Sequence, residues 1–223
     1  MFIHQLFGVM PGETKQITDI PRFNFVYEDT KEYCKKNNIK YKLWNLDDIN
    51  ELLDTPPYNK YKKVYEDMQN CKISSGCAID FPRFIILHKY GGIYFDLDIE
   101  IIKDIKPLFK NDLWFASMYG KSPYNALMGS KKHHPFWLEC LDRSKEAFYE
   151  KLKIDVYKIR KCRFVCQTTG CCLIKRVLKN FTNHKLLRIV STKTRRKTGK
   201  ISGTTNLALD PYFYDTNDFS WNS

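Results

Sequence analysis

Around His4 and Leu6, the positions Ile3, Gln5 and Phe7 alternate up to Gly8 with the two-residue period of a buried strand. Pro11 to Pro21 is polar and rich in turn formers, and reads as a loop. Thr30 to Asn38 is expected to be a short amphipathic helix ended by Asn37 and Asn38, and Ile39 to Trp44 the next strand. Strand, helix and strand in that order predict a parallel α/β sheet. Asn45 to Leu53 reads as a helix with Asn45 as its cap, and with Asp47 and Asp48 in the first turn, where the helix dipole favours acids. Thr55-Pro56-Pro57 breaks it. Tyr58 to Asn70 follows as a charged helix with Tyr58, Tyr61 and Tyr65 three and four residues apart. These tyrosines read as packing, with stacking on a nucleobase as the alternative. Further on, Leu113 to Met118 and Tyr124 to Ser130 are expected as neighbouring strands, and Phe136 to Tyr149 as an amphipathic helix begun at Pro135. Thr168-Thr169-Gly170 is expected to open a helix through Leu178, and Leu186 to Val190 to form a strand.

The stretch from Ala78 to Glu100 departs from this simple alternation, because charged residues sit at defined places in an otherwise apolar segment. Phe84, Leu87 and His88 have helical spacing, Ser74 or Ser75 is placed to cap the segment, and Gly91-Gly92 stops it by accepting left-handed backbone. Ile93 to Phe95 favour a strand, and continued alternation through Ile99 would put Asp96 and Asp98 on one side of the strand end. Two carboxylates so placed repel each other and are costly to desolvate unless a cation compensates them. Oxygen-only ligands select Mg2+ or Mn2+, ions that keep positions for water and substrate phosphates. Upstream, Asp80 and Arg83 share one helical face and would present an acceptor and a donor fork to the same cleft. Pro82 between them is expected to kink or start the helix.

A length of 223 residues with 43% apolar and 15% aromatic content suits one domain over residues 1–223, either complete or the N-terminal part of a longer protein. Apolar runs stay far below the ~20 residues of a membrane span. With its first strand opening at Phe2, the chain leaves no room for a signal peptide, and a cytoplasmic location is expected. Among the eight cysteines, Cys162-x3-Cys166-x4-Cys171-Cys172 lacks a Cys-x2-Cys pair and a histidine at finger spacing. Reduced cysteines serving as small core residues are therefore expected. His133 and His134 are adjacent and point apart on any regular element, so they do not read as a metal pair.

The net charge of +12 is regional: residues 151–200 hold sixteen Lys or Arg and one acid, Asp155. Such a surface suits a nucleotide diphosphate, an anionic membrane or a lipid-linked acceptor, or is a solvated lysine-rich face. Within it, 193–200 reads as a loop that closes over a diphosphate or is a basic turn.

Asp80, Arg83, Leu87, Gly91, Gly92, Tyr94, Asp96 and Asp98, at these spacings, resemble the glycosyltransferases with a sugar-binding region containing a DXD motif. That family includes yeast-type mannosyltransferases and bacterial capsule enzymes and is related to the clostridial glucosylating toxins. The resemblance implies an α/β, GT-A-like nucleotide-diphospho-sugar transferase fold, with a mostly parallel central sheet flanked by helices. It implies a Mn2+- or Mg2+-dependent, retaining transfer of a hexose or deoxyhexose from a UDP- or GDP-sugar to a glycan, glycoprotein or lipid-linked acceptor. It further implies donor contacts from His4, Gln5, Asp80, Arg83, Tyr94, Asp96 and Trp221, and metal contacts from Asp96 and Asp98. The histidine the family has near Ser220-Trp221 is missing; Asp218 either substitutes for it as a third metal contact or is a solvated terminal acid, and no nucleophile can be named. Two other classes compete: a metal-dependent phosphatase or nuclease, and a basic RNA- or membrane-binding module. No specific nucleic-acid partner is expected of the transferase.

Overall fold

In the computed structural model, which describes residues 1–118, 122–153, 160–182, 184–187 and 213–215, the chain opens with β1 (Phe2–Leu6). It crosses over through α1 (Pro21–Asn37) to β2 (Lys40–Trp44), which pairs parallel to β1 with Phe2 opposite Lys40. A parallel pair needs such a crossover, because a hairpin returns the chain in the opposite sense. Then come α2 (Leu46–Leu53), a 3-10 turn at Asn59–Tyr61, α3 (Lys62–Gln69) and α4 (Gly76–Tyr90). β3 (Gly92–Phe95) pairs parallel to the other side of β1, and β4 (Ile99–Ile101) leaves the main sheet. β5 (Leu113–Met118) and β6 (Ser122–Ser130) follow, then α5 (Phe136–Leu152), α6 (Lys161–Thr168), α7 (Cys171–Leu178) and β7 (Lys185–Leu187). β8 (Phe213–Asp215) pairs antiparallel to β4 in a separate two-stranded ribbon.

The main sheet has the order β2-β1-β3-β6-β5-β7, in which β6 alone runs against its neighbours. This is the mixed α/β, mostly parallel sheet expected from the strand and helix order. Its two faces bury two separate cores, and the period of two assigns each residue to one of them. On β5, Leu113 and Phe115 enter the core shared with α4 and α5, while Trp114 and Ala116 enter the opposite one with Ile3, Cys34 and Leu108. Tyr58, Tyr61 and Tyr65 all lie in the first core, which is the packing role their spacing suggested. Among the described residues no helix is long and apolar enough to cross a membrane.

Helix α4 is the element on which the site is hung. It is buried nearly all round, as its run of apolar residues on every face demands. Ser75 occupies the cap position without a side-chain bond, and it is the Ser74 hydroxyl that accepts from the Gly76 amide, at 3.2 Å. Pro82 lies inside the helix, which runs on to Tyr90 around it. At the far end Gly91 and Gly92 take φ of 62° and 95°, and a Cβ on Gly92 would collide with the Phe2 carbonyl oxygen. Glycine is thus required twice over, for backbone hand and for the close approach of β3 to β1.

Two local expectations give way. Helix α1 begins at Pro21 rather than Thr30, because proline fits the first helical position and Val26, Thr30 and Cys34 are buried four apart along one face. The strand after Gly92 stops at Phe95. Asp96 to Ile99 form a turn closed by the Ile99 amide on the Asp96 carbonyl, at 3.1 Å. Aspartate favours turns, where its charge stays near water, over a ladder that would desolvate it. The helix expected to open at Thr168-Thr169-Gly170 and run through Leu178 is found as α7, capped by Gly170, with Thr168 the last residue of α6.

Candidate functional site

The turn carrying Asp96 and Asp98 stands at the carboxyl end of β3, in the middle of the sheet, where open α/β sheets place their ligands. Asp80 and Arg83, three apart on α4, reach it from one side. Arg83 Nη2 lies 3.1 Å from Asp80 Oδ1 and 3.1 Å from Asp96 Oδ1, so the guanidinium bridges the two carboxylates. Its Nη1 donates to the Asn125 carbonyl on β6 at 2.9 Å, and the group lies 5.0 Å from the centroid of the Tyr94 ring. The Tyr94 hydroxyl donates to Asp96 Oδ1 at 2.5 Å. From the α6–α7 junction, Thr169 Oγ1 donates to Asp80 Oδ2 at 3.2 Å. Pro82 has therefore not spoiled the mutual aim of Asp80 and Arg83.

Exposure rises along this chain of contacts, from 6% for the Arg83 side chain and 10% for Asp80 to 27% for Asp96. The inner pair is structural support and Asp96 is its open end. Burial pushes the Asp80 carboxyl up from its ordinary value, opposed by Arg83 and by the Thr169 hydroxyl. Burial also works against the Arg83 charge, but Asp96, Tyr94 and Asp80 outweigh it and hold the guanidinium above its ordinary value. Asp98 is half-buried, and its backbone carbonyl accepts from Arg22 Nη2 on α1 at 3.5 Å.

The carboxylates of Asp96 and Asp98 are hard oxygen donors that fit Mg2+ or Mn2+. Among the described residues no third acid, histidine or cysteine joins them at ligand separation. One or two carboxylates completed by waters and phosphate oxygens is the usual Mg2+ arrangement.

His4 and Gln5 stand apart from this cluster. His4 is fully buried: its Nε2 donates to the Gly91 carbonyl at 2.8 Å, and its Nδ1 accepts from Trp44 Nε1 at 3.2 Å. Both ring nitrogens are used inside the core, so in this arrangement it offers a donor ligand nothing. Gln5 is equally buried and accepts from the Tyr41 hydroxyl at 2.9 Å. Trp221 and Asp218, like the basic 193–200 segment, lie outside the described residues. Sequence reading did not join Thr169, the Asn125 carbonyl or Arg22 to Asp80, Arg83 or Asp98, since they lie 89, 42 and 76 residues from the groups they touch. A cleft on α5 lined by Asp142, Arg143 and Tyr149 includes none of these residues; Arg143 there pairs with Glu139 and Glu146.

Burial holds the His4 imidazole down at a pKa of about 3, against a partial upward pull from the Gly91 carbonyl. A lowered histidine pKa means that the unfolded chain takes up a proton below pH 6.5 while the native chain does not. Stability from this group is full above pH 6.5 and is lost as the pH falls toward 3, at about 1.4 kcal/mol per pH unit. Urea midpoints measured at pH 7, 6 and 5 should fall accordingly, and His4→Gln should flatten that slope. An unchanged slope in His4→Gln would remove His4 as its source.

Residues 21–126 match the family model described as glycosyltransferase sugar-binding region containing DXD motif. That segment holds α1, β2, α4, β3 and the Asp-Leu-Asp turn, so the match to the family model falls on the part of the chain that carries the motif. The chain is 36% identical over 137 residues to mannosyl phosphorylinositol ceramide synthase CSH1 of Saccharomyces cerevisiae, covering 61% of this chain and 35% of that protein. It is 32% identical over 108 residues to an alpha-1,4-N-acetylglucosaminyltransferase of Homo sapiens, covering 48% and 29% respectively. The chain thus spans about a third of the length of these relatives. In fold it is similar to PaToxG glycosyltransferase, with a TM-score of 0.54 at 15% identity over 80% of this chain and 67% of that one. The GT-A-like expectation is met at the level of fold.

Proposed function

We propose that the chain is a metal-dependent glycosyltransferase that moves a hexose or deoxyhexose from a UDP- or GDP-sugar to a glycan, glycoprotein or lipid-linked acceptor. The observation that carries this reading is the Arg83 bridge, which ties Asp80 on α4 to Asp96 at the strand end 3.1 Å away on each side. It gathers the motif's polar residues at one mouth of the sheet. Asp98, with Asp96 beside it, would hold Mn2+ or Mg2+. The ion would supply Lewis-acid neutralisation of the leaving diphosphate.

The chain's own groups do the rest. Arg83 and the Tyr94 hydroxyl fix the Asp96 carboxylate in one orientation, so that no reorganisation is needed when the donor arrives. Asp80 and Arg83, at the inner end of the same cluster, would grip the donor sugar. Retention of anomeric configuration and the oxocarbenium character of the transition state are part of the same proposal. The ceramide-modifying names of the yeast relatives favour a lipid-linked acceptor.

A phosphatase or nuclease would ask for more carboxylates or histidines around the ion, and among the described residues none joins Asp96 and Asp98 at ligand separation. Lys161, Arg163, Lys175 and Lys179 on α6 and α7 are exposed, which suits a solvated face as well as a docking one. A thermal-shift panel of nucleoside diphosphates with and without Mn2+ tests the reading. A ligand at a hundred times its Kd should add about 2.7 kcal/mol, and only with the ion present. If no diphosphate shifts the midpoint while RNA or anionic vesicles bind, the transferase reading fails.

A further inference from the structure

We propose that Cys166, Cys171 and Cys172 form a binding site for a thiophilic metal ion of the Zn2+ class, separate from the carboxylates at the sheet mouth. The three Sγ atoms lie within 4.8 Å of one another. Zinc–thiolate bonds of about 2.3 Å in a tetrahedral shell set sulfurs roughly 3.8 Å apart, well inside that span.

The placement is made by the junction of two helices. Thr169 and Gly170 both give their amides to the Val165 carbonyl, at 2.9 and 3.0 Å, which turns the start of α7 back over the last turn of α6. A Cβ on Gly170 would sit 2.9 Å from Cys166 Cα, so the reversal is as tight as glycine allows. Cys171 and Cys172 are the first two residues of α7, where the helix dipole favours thiolate. The Cys166 and Cys171 sulfurs are 3.2 Å apart. The spacing Cys-x4-Cys-Cys is not a finger pattern, and the expectation of inert core cysteines holds for the buried Cys34, Cys77 and Cys140 only.

Three sulfurs, rather than two, favour a metal over a simple disulfide. Cys172 is exposed and the other two are half-buried, which leaves an entry path and a fourth position for water. Binding releases the thiol protons to solvent. Soft sulfur and hard oxygen sort the ions, so Mn2+ would not compete here. Occupancy would also clamp the junction whose Thr169 hydroxyl holds Asp80.

The test is titration of the reduced full chain with Co2+ under anaerobic conditions, then with Zn2+. One equivalent of Co2+ should raise thiolate-to-cobalt charge-transfer bands, Zn2+ should erase them, and excess Mn2+ should not. Cys171→Ser and Cys166→Ser should abolish the bands, and Cys162→Ser, exposed in the same segment, should keep them. Because a serine variant can misfold, the wild type is also alkylated with and without Zn2+ and mapped by mass spectrometry. Protection centred on these three thiols supports the site. Absence of bands in the reduced wild type, their persistence without Cys166 and Cys171, or a Cys166–Cys171 disulfide forming in air while Zn2+ protects nothing would each overturn it. None of these readouts depends on sugar transfer.

Discussion

Asp98→Asn is expected to lower sugar transfer by on the order of 10^3-fold while leaving the fold in place. The substitution keeps shape and removes the charge that would face the metal, and a Lewis acid on a leaving diphosphate supplies several kcal/mol of barrier lowering. The native fold should persist, because the amide has nearly the carboxylate's shape and the bond from Arg22 to the Asp98 backbone carbonyl is retained. Two measurements therefore separate the site from the scaffold: turnover of a labelled sugar nucleotide at saturating Mn2+, and the thermal midpoint without ligand. The Mn2+-dependent shift by nucleoside diphosphates should vanish with the activity. Transfer within tenfold of wild type would show that the ion is held elsewhere or not needed.

Arg83→Leu is expected to cost stability as well as activity, by about 3–5 kcal/mol, because it strands a buried carboxylate. Asp80 would keep the Thr169 hydroxyl and Asn125, and Asp96 the Tyr94 hydroxyl, but both would lose the guanidinium. The consequence depends on pH with a definite sign. Burial already raises the Asp80 pKa above its ordinary value, and losing Arg83 raises it further. A carboxyl with a raised folded pKa is tolerated when protonated and penalised as the pH climbs through that pKa. Relative to wild type, Arg83→Leu should thus be least damaged near pH 4 and most damaged at neutral pH, as read from urea midpoints. Adding Asp80→Leu should recover part of the loss, since two apolar groups bury without a desolvated charge. A penalty that is flat with pH and unaffected by the second substitution would mean that the pair acts only through packing.

Period and punctuation carried far along this chain. The two-residue alternation of β1 and β5, the Asn45–Asp48 capping box and the glycine stop after α4 are local events, decided by neighbours within a few positions. So is the Asp-x-x-Arg spacing, which survives Pro82. The start of α1 was harder to read, since Phe23, Phe25, Val26 and Tyr27 crowd together and blur the period of a buried face made by Val26, Thr30 and Cys34. Strand order alone left His4 open as either a core histidine or a ligand contact, because it does not reveal that Trp44 and Gly91 claim both ring nitrogens.

Local chemistry thus named the groups: two acids around a leucine, an arginine and an acid one helical turn back, and glycines to join helix to strand. Their partnership was settled by the packing of distant segments. Thr169 reaches Asp80 across 89 residues, and Arg83 joins two acids that a straight strand would have held differently. The cysteine trio exists only because two short helices fold back on each other. Spacing along a chain governs which side chains share a face. Contacts between faces depend on how the burial of two cores brings the elements together, and that energy belongs to the whole fold.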